Sequence, residues 1–263
     1  MKSFWSLLVL LLTLSSSCGA ADVELRVLNW NIHHAEGIDR KLDLKRIAQV
    51  INSVKPDIVA LQEVDQKVSR TGKVDQPAKL AELTGLQVVF GGNIEFGGGG
   101  YGNAVLSRHP IISSQNHRLP NRDNGEQRGV LQTSIRVPGV PAPVSFFATH
   151  LDHRRADEER FASAQAINRL AMQEPARLAV LAGDLNDVEG NRTLTELLKT
   201  WQAANETPIF TIPVEKPTRQ IDFILFRPSE RWKVAEVRVL DEAVASDHRA
   251  VFAVLKLIEP KTN

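Results

Sequence analysis

Apolar positions along the chain fall into short blocks of two kinds. The segments "ELRVLNWNI", "DIVALQEV", "QVVFGGNI", "GNAVLSRHPII", "VLQTSIRV", "APVSFFATH", "RLAVLAGDL", "QIDFILFRP", "WKVAEVRVL" and "HRAVFAVLKL" alternate or run continuously over a strand's length between turn residues. They predict about ten strands. Other segments carry a helical period: Leu44, Ile47, Ala48, Ile51 and Val54 share one face of 42–54, and Phe161, Ala164, Ile167 and Leu170 share one face of 157–173. Shorter helices are predicted over 76–85 and 191–200. Several strands are too continuously apolar to leave a face in water, so sheets must pack together under covering helices, an α/β sandwich. No repeat or low-complexity linker interrupts 22–263, and the longest glycine cluster, 97–100, is four residues, which predicts one domain.

The first twenty residues change the picture at one end. "MKSFWSLLVLLLTLSSSCGA" has one positive charge at Lys2, an apolar run from Phe4 to Leu14 and then small residues. That is the layout of a secretory signal over 1–20, with the domain in 21–263, and the apolar run is short for a membrane span. Two processing routes compete: cleavage after Ala20 or Ala21, or lipidation at Cys18. Serines before Cys18 and a Leu14 one position too far upstream favour plain secretion into the periplasm or medium.

Cys18 is the only cysteine, so the domain has neither a disulfide nor a thiolate metal site. The chain has 32 Lys and Arg against 31 Asp and Glu, and without Lys2 the balance is even. A neutral surface argues against sequence-blind binding to a long polyanion. Nothing in the pattern calls for a second chain, and a monomer is expected.

Costly polar residues recur at the ends of apolar strands: Asn29 and Asn31, Glu63, His150, Asp184 and Asn186, Asp222, and Asp247 with His248. Each has a plain explanation taken singly. Asn31 caps a turn, Glu63 pairs with a lysine, "GDLND" is a loop held by Asx turns, and Asp222 joins a buried ion pair. Taken together, four carboxylates beside packed strands need cations or donors close by. Oxygen donors suit Mg2+ or Mn2+, and the seven histidines include no HExxH pair, which leaves zinc as second choice.

In order, "NWNIHH", "LQEVD", "GNAVLSRHPI", "ATHLDH", "GDLND", "RQIDFIL" and "SDHRAVFA" resemble the endonuclease/exonuclease/phosphatase superfamily over most of 24–257. The resemblance implies a four-layer α/β/β/α sandwich with two packed mixed β-sheets and Mg2+-dependent hydrolysis of a phosphoester. It implies that Glu63, Asn31 and Asp247 serve the metal, and that Asp184 orients or deprotonates the water. By the same likeness Asn186 holds the scissile phosphate, His248 is oriented by Asp222, and His150 donates to a phosphate oxygen or the leaving group. A histidine held by Asp222 would have its tautomer fixed and its cationic form favoured.

Other positions are weaker candidates. Asn103 near the substrate, Arg128 on a phosphate, and Arg108 and His109 on a phosphate each compete with structural roles. So does a loop formed by the 97–100 glycines over the site, against a simple hairpin turn. His33, His34 and His153 enrich the same rim in imidazole, as substrate contacts or supports rather than ligands of a second metal. Among compact bacterial members of the superfamily, "NWNIHHAEG" and "THLDH" are similar to relatives linked to lipid remodelling. The expected substrate is therefore a phospholipid head group or a small phosphoester. Nucleic acid is the alternative, disfavoured because "HRRADEER" sets its basic residues against acids, and a non-catalytic phosphate-binding module is the third reading.

Overall fold

A computed structural model of the chain describes residues 23–122 and 124–258. The predicted signal segment 1–20, with Cys18, lies outside them. The described elements are β1 (Glu24–Asn31), α1 (Leu44–Ser53), β2 (Ile58–Gln66), α2 (Gln76–Thr84), β3 (Gln87–Phe96), β4 (Gly99–Ser107), β5 (Ile111–Arg118) and β6 (Gly129–Ile135). They continue with β7 (Val144–His150), α3 (Glu158–Ala171), β8 (Ala179–Asp184), α4 (Arg192–Leu197), β9 (Gln202–Ala203), β10 (Asp222–Arg227), β11 (Trp232–Val239) and β12 (Val251–Leu257).

The strands form two six-stranded sheets, ordered β11-β12-β1-β2-β4-β3 and β5-β6-β7-β8-β10-β9. Each is mixed, because β1–β2 and β7–β8 are parallel while their other neighbours are antiparallel. Strand periodicity assigns the layers. Leu25, Val27, Ile58 and Ala60 of the first sheet meet Phe146, Ala148, Val180, Ala182, Ile224 and Phe226 of the second in one shared core. The alternate residues face outward: Leu28, Trp30, Val59 and Leu61 pack under Ile47, Ile51 and Leu80 of α1 and α2. On the other side Phe147, Leu181 and Leu225 pack under Ile167 of α3 and Leu194 of α4. The result is the α/β/β/α sandwich that two doubly buried sheets require.

Helix ends agree with the local sequence. Asp43 and Asp75 accept from the amides of Arg46 and Ala78 at the starts of α1 and α2, and Gly85 closes α2 with φ 71°. The pattern undercounts strands. "GNAVLSRHPII" breaks into β4 and the beginning of β5, whose middle, Ile112 to Gln115, is exposed on the sheet edge, so it lacks the apolar alternation of a covered strand. The two-residue β9 is too short to show a period at all. Gly97 and Gly98, with φ 53° and 78°, make the β3–β4 hairpin turn, the simpler of the two roles open to the glycine cluster.

Candidate active site

The same alternation that builds the shared core delivers the polar residues to one rim. On β1 the inward series Leu25, Val27 continues to Asn29 and Asn31; on β2, Ile58 and Ala60 lead to Gln62. On β7 it ends at His150, on β8 at Asp184, and on antiparallel β10 it begins at Asp222. Register aligns the last three, with His150 opposite Asp184 and Asp184 opposite Asp222. Glu63 reaches this rim differently. The β2–β4 register shifts between Leu61 and Val64, and Glu63 takes φ 58°, so an extra residue bulges out of the strand toward the site.

His248 arrives on the loop before β12, and that loop is fastened to β1. Trp30 Nε1 donates to the His248 carbonyl at 2.9 Å, and Ser246 Oγ donates to the Asn31 carbonyl at 2.7 Å while accepting from the His248 amide at 3.2 Å. Beneath the site, Gln62 donates to Asn29 Oδ1 and Asn29 donates to the Gly183 carbonyl, which stitches the two sheets together behind Asp184.

Asp184 is the centre of the arrangement. Its Oδ1 accepts the Asn186 amide at 2.9 Å, and Asn31 Nδ2 lies 3.1 Å from its Oδ2. His150 Nε2 and His248 Nε2 face that same Oδ2 at 3.5 and 3.8 Å. Burial, reinforced by the neighbouring Asp222 carboxylate, raises the Asp184 pKa to about 7 against the opposing pull of His248. His248 Nδ1 donates to Asp222 Oδ2 at 2.9 Å, an oxygen that also accepts Thr211 Oγ1 at 2.6 Å. Burial opposes the imidazolium, but Asp222 and then Asp184 outweigh it and raise the His248 pKa to about 10. Asp222 thus holds His248 in one orientation and keeps it cationic.

His150 has the opposite character. Burial and the Arg128 guanidinium beside it push its pKa well down, so it is neutral. Arginine has no acceptor, so at 3.2 Å the Arg128 Nη1 must donate to His150 Nδ1, which puts the proton on Nε2 and aims it at Asp184. Arg128 Nη2 does the same to His153 Nδ1 at 3.2 Å, and the guanidinium pairs with Glu126. Buried Arg128 therefore orients two imidazoles while pairing with Glu126, the structural one of the two roles open to it in the sequence.

The other candidates divide. Asn186, held at φ 48°, anchors its carboxamide on the Leu151 carbonyl at 3.0 Å beside Asp184. Asn103 is fully buried and donates to the Gly129 carbonyl, while its Oδ1 lies buried without a partner. Asp247 is exposed and lines a surface cleft with His33. Arg108 and His109 sit past the far end of β4 and pair with Asp57, so they take structural roles away from the rim.

A divalent ion suits the Glu63 side. Asn31 Nδ2 bridges Glu63 Oε1 and Asp184 Oδ2, each at 3.1 Å, and one neutral amide is a weak substitute for a cation between two carboxylates. Two groups of possible ligands occur among the described residues, Asp184 with Asp222 and His248, and Glu63 with His33 and His34. In the first, the His248 imidazolium already lies between the two carboxylates, 2.9 Å from Asp222 Oδ2 and 3.8 Å from Asp184 Oδ2, while Asp222 Oδ1 is buried without a partner.

Three supporting residues escaped the sequence reading. Thr211 carried no signal beyond its polarity, and Ser246 stood in the quoted "SDHRAVFA" motif without a role, since the roles of both arise from loop placement. Tyr101 follows the glycine cluster on β4; burial and the Glu63 and Glu126 carboxylates push its phenol pKa up, so it remains a neutral donor.

The chain is similar to several known proteins. The uncharacterised protein YbhP of Escherichia coli (strain K12) is 28% identical over 247 residues, covering 88% of this chain and 96% of that protein. A 5'-tyrosyl-DNA phosphodiesterase of Caenorhabditis elegans is 26% identical over 195 residues, 69% of this chain and 48% of that protein. The crystal structure of an endonuclease/exonuclease/phosphatase from Beutenbergia cavernae superposes with a TM-score of 0.71 at 28% identity, covering 89% of this chain and 72% of that one. The Endonuclease/Exonuclease/phosphatase family profile matches residues 28–248, a span that runs from β1 to the site imidazole His248 and contains every residue of the rim. A chain matched over that length, with its strand-end carboxylates, amides and imidazoles gathered on one rim, belongs to the endonuclease/exonuclease/phosphatase family.

Proposed function

We propose that the chain is a divalent-cation-dependent phosphodiesterase, exported by its leading segment and acting as a monomer on a phospholipid head group or a comparably small phosphodiester. The observation that carries the reading is the convergence of Asn31 Nδ2, His150 Nε2 and His248 Nε2 on one oxygen of buried Asp184. Donors converging on a buried anionic site are what a phosphoryl group in transit needs. Asp184 accepts the proton of the attacking water, and the Asn186 amide fixes its other oxygen. His248, held cationic by Asp222, sets positive charge against the phosphoryl oxygens. Neutral His150, its tautomer set by Arg128, gives a hydrogen bond to a phosphoryl oxygen, and as the P–O bond to the leaving group breaks, His248 gives its Nε2 proton to the departing oxygen. Glu63 and Asn31 would hold the cation, which when bound supplies concentrated positive charge to the phosphate.

The small-substrate preference is supported by the even balance of acidic and basic residues. A second reading, action on a nucleic-acid end, is favoured by the likeness to a 5'-tyrosyl-DNA phosphodiesterase. One experiment separates them: purified protein is incubated with Mg2+ or Mn2+ and, in parallel, bis-p-nitrophenyl phosphate, plasmid and end-blocked DNA, and vesicles of phosphatidylinositol or sphingomyelin. Hydrolysis of the small diester and the lipid, abolished in Asp184→Ala, is expected. Cleavage of DNA alone, falling steeply as salt is raised, would replace the lipid reading. Equal hydrolysis by Asp184→Ala would end the catalytic assignment. Export is tested by fractionating cells that express the full chain.

A further inference from the structure

The turn after Asn31 places two imidazoles where the phosphodiesterase reading uses none. His33, His34 and Ala35 all take left-handed φ, 45°, 42° and 63°, which brings the two rings to 4.4 Å. One ligating atom from each of His33, His34 and Glu63 lies within 4.8 Å of the other two. Ligands in a first-row coordination shell stand about 3 to 3.4 Å apart, given bonds of about 2.1 Å, so modest side-chain rotation closes the set.

The donors are prepared for an ion. His33 Nδ1 lies 3.0 Å from the Glu36 carbonyl, which only accepts, so the proton is on Nδ1 and the Nε2 lone pair is free. His34 is 7% exposed, and its Nδ1 is buried with no hydrogen-bond partner. The turn is also tied to the strand that carries Glu63. The buried Gln76 carboxamide donates to the His34 carbonyl at 2.7 Å and accepts the Asp65 amide at 3.0 Å, and the Ile32 amide donates to the Gln62 carbonyl. His33 lines the surface cleft that also holds Asp247, which gives an ion a route in.

We propose that His33, His34 and Glu63 form a two-imidazole, one-carboxylate site for a first-row transition cation, so that the ion beside Glu63 is Mn2+, Co2+ or Zn2+ in preference to Mg2+. The proposal rests on the reading that a divalent ion occupies this side of the rim, and adds that nitrogen donors select it. Mg2+ takes oxygen ligands and keeps its waters, whereas imidazole suits the transition series. Such a centre carries fewer ligand charges than an all-carboxylate one and leaves open positions for substrate oxygens.

The test is binding, read without turnover. Full-length protein stripped with chelator is titrated with Co2+, Mn2+ and Mg2+ by calorimetry, and bound Mn2+ is examined by pulsed electron paramagnetic resonance for coupling to 14N. Co2+ binding at least 100-fold tighter than Mg2+, with nitrogen coupling in the wild type, is expected. In His33→Asn/His34→Asn, chosen because asparagine tolerates left-handed backbone, the Co2+ affinity falls about 100-fold and the coupling drops. Each single variant retains part of the coupling, which answers the question should the double variant unfold by circular dichroism. Equal affinity for Co2+ and Mg2+, or nitrogen coupling undiminished in the variants, overturns the proposal. Failure of the phosphodiesterase reading has a different signature, no hydrolysis of any ester by wild type with any ion.

Discussion

Asp184 and His248 show how burial sets the chemistry of single residues. Folding raises the His248 pKa from 6.5 to about 10, so its interactions stabilise the fold fully below pH 6.5 and are lost as pH rises through 10. In chelator, denaturation midpoints of wild type should therefore fall between pH 7 and 10, and Asp222→Asn, lacking the main cause of the shift, should flatten that slope. Asp184 is also raised, from 3.8 to about 7, so its burial costs stability as pH climbs from 4 to 7. Asp184→Asn is then expected to be more stable than wild type above pH 7 in chelator, by about 1 kcal/mol, while hydrolysis falls about 1,000-fold or more. A variant that lost both stability and activity would make Asp184 a structural residue. The tautomer assigned to His150 is open to direct observation: 15N imidazole shifts should report a proton on Nε2, and Arg128→Met should remove that preference.

At the scale of elements, the site depends on how closely two strands approach. A Cβ on Gly183 would lie 2.3 Å from the Thr149 carbonyl of β7, so β8 can sit in register with β7 only because residue 183 has no side chain. Gly183→Ala should force the strands apart and displace Asp184 from His150. The expected loss is about 2 to 4 kcal/mol of unfolding free energy in urea, with activity falling further than the folded fraction explains. The β2 bulge works in the other direction, adding a residue so that Glu63 leaves the strand's alternation while Val64 returns to the core under α1 and α2. Strand parity on β1, β7, β8 and β10 was visible as alternate apolar residues ending in a polar one. The bulge was not, because an inserted residue in "LQEVD" looks like ordinary alternation until the partner strand is in place.

At the scale of the whole molecule, the rim is where two sheets that share a core expose the ends of their inward faces, and a cation bound there would be held from the first sheet by Glu63. Ligand binding to the folded state alone raises apparent stability by about 2.7 kcal/mol at a hundredfold excess over Kd. Divalent ion should thus raise the melting temperature of wild type, and Glu63→Gln should remove most of that increase; an ion effect unchanged in Glu63→Gln would place the cation elsewhere. The sequence by itself determined the layered α/β class, the strand ends that carry chemistry and the ordered motifs of the family, because alternation and polarity are local properties. Only the tertiary structure decided the pairings: Asn31 with Glu63 and Asp184, Arg128 with His150, Thr211 with Asp222, and His33 and His34 with Glu63. Most of these partners lie far apart in the chain and on different strands or loops. Which atoms meet depends on the register of two sheets, on one bulge and on the turn after Asn31, none of which leaves a period in the sequence.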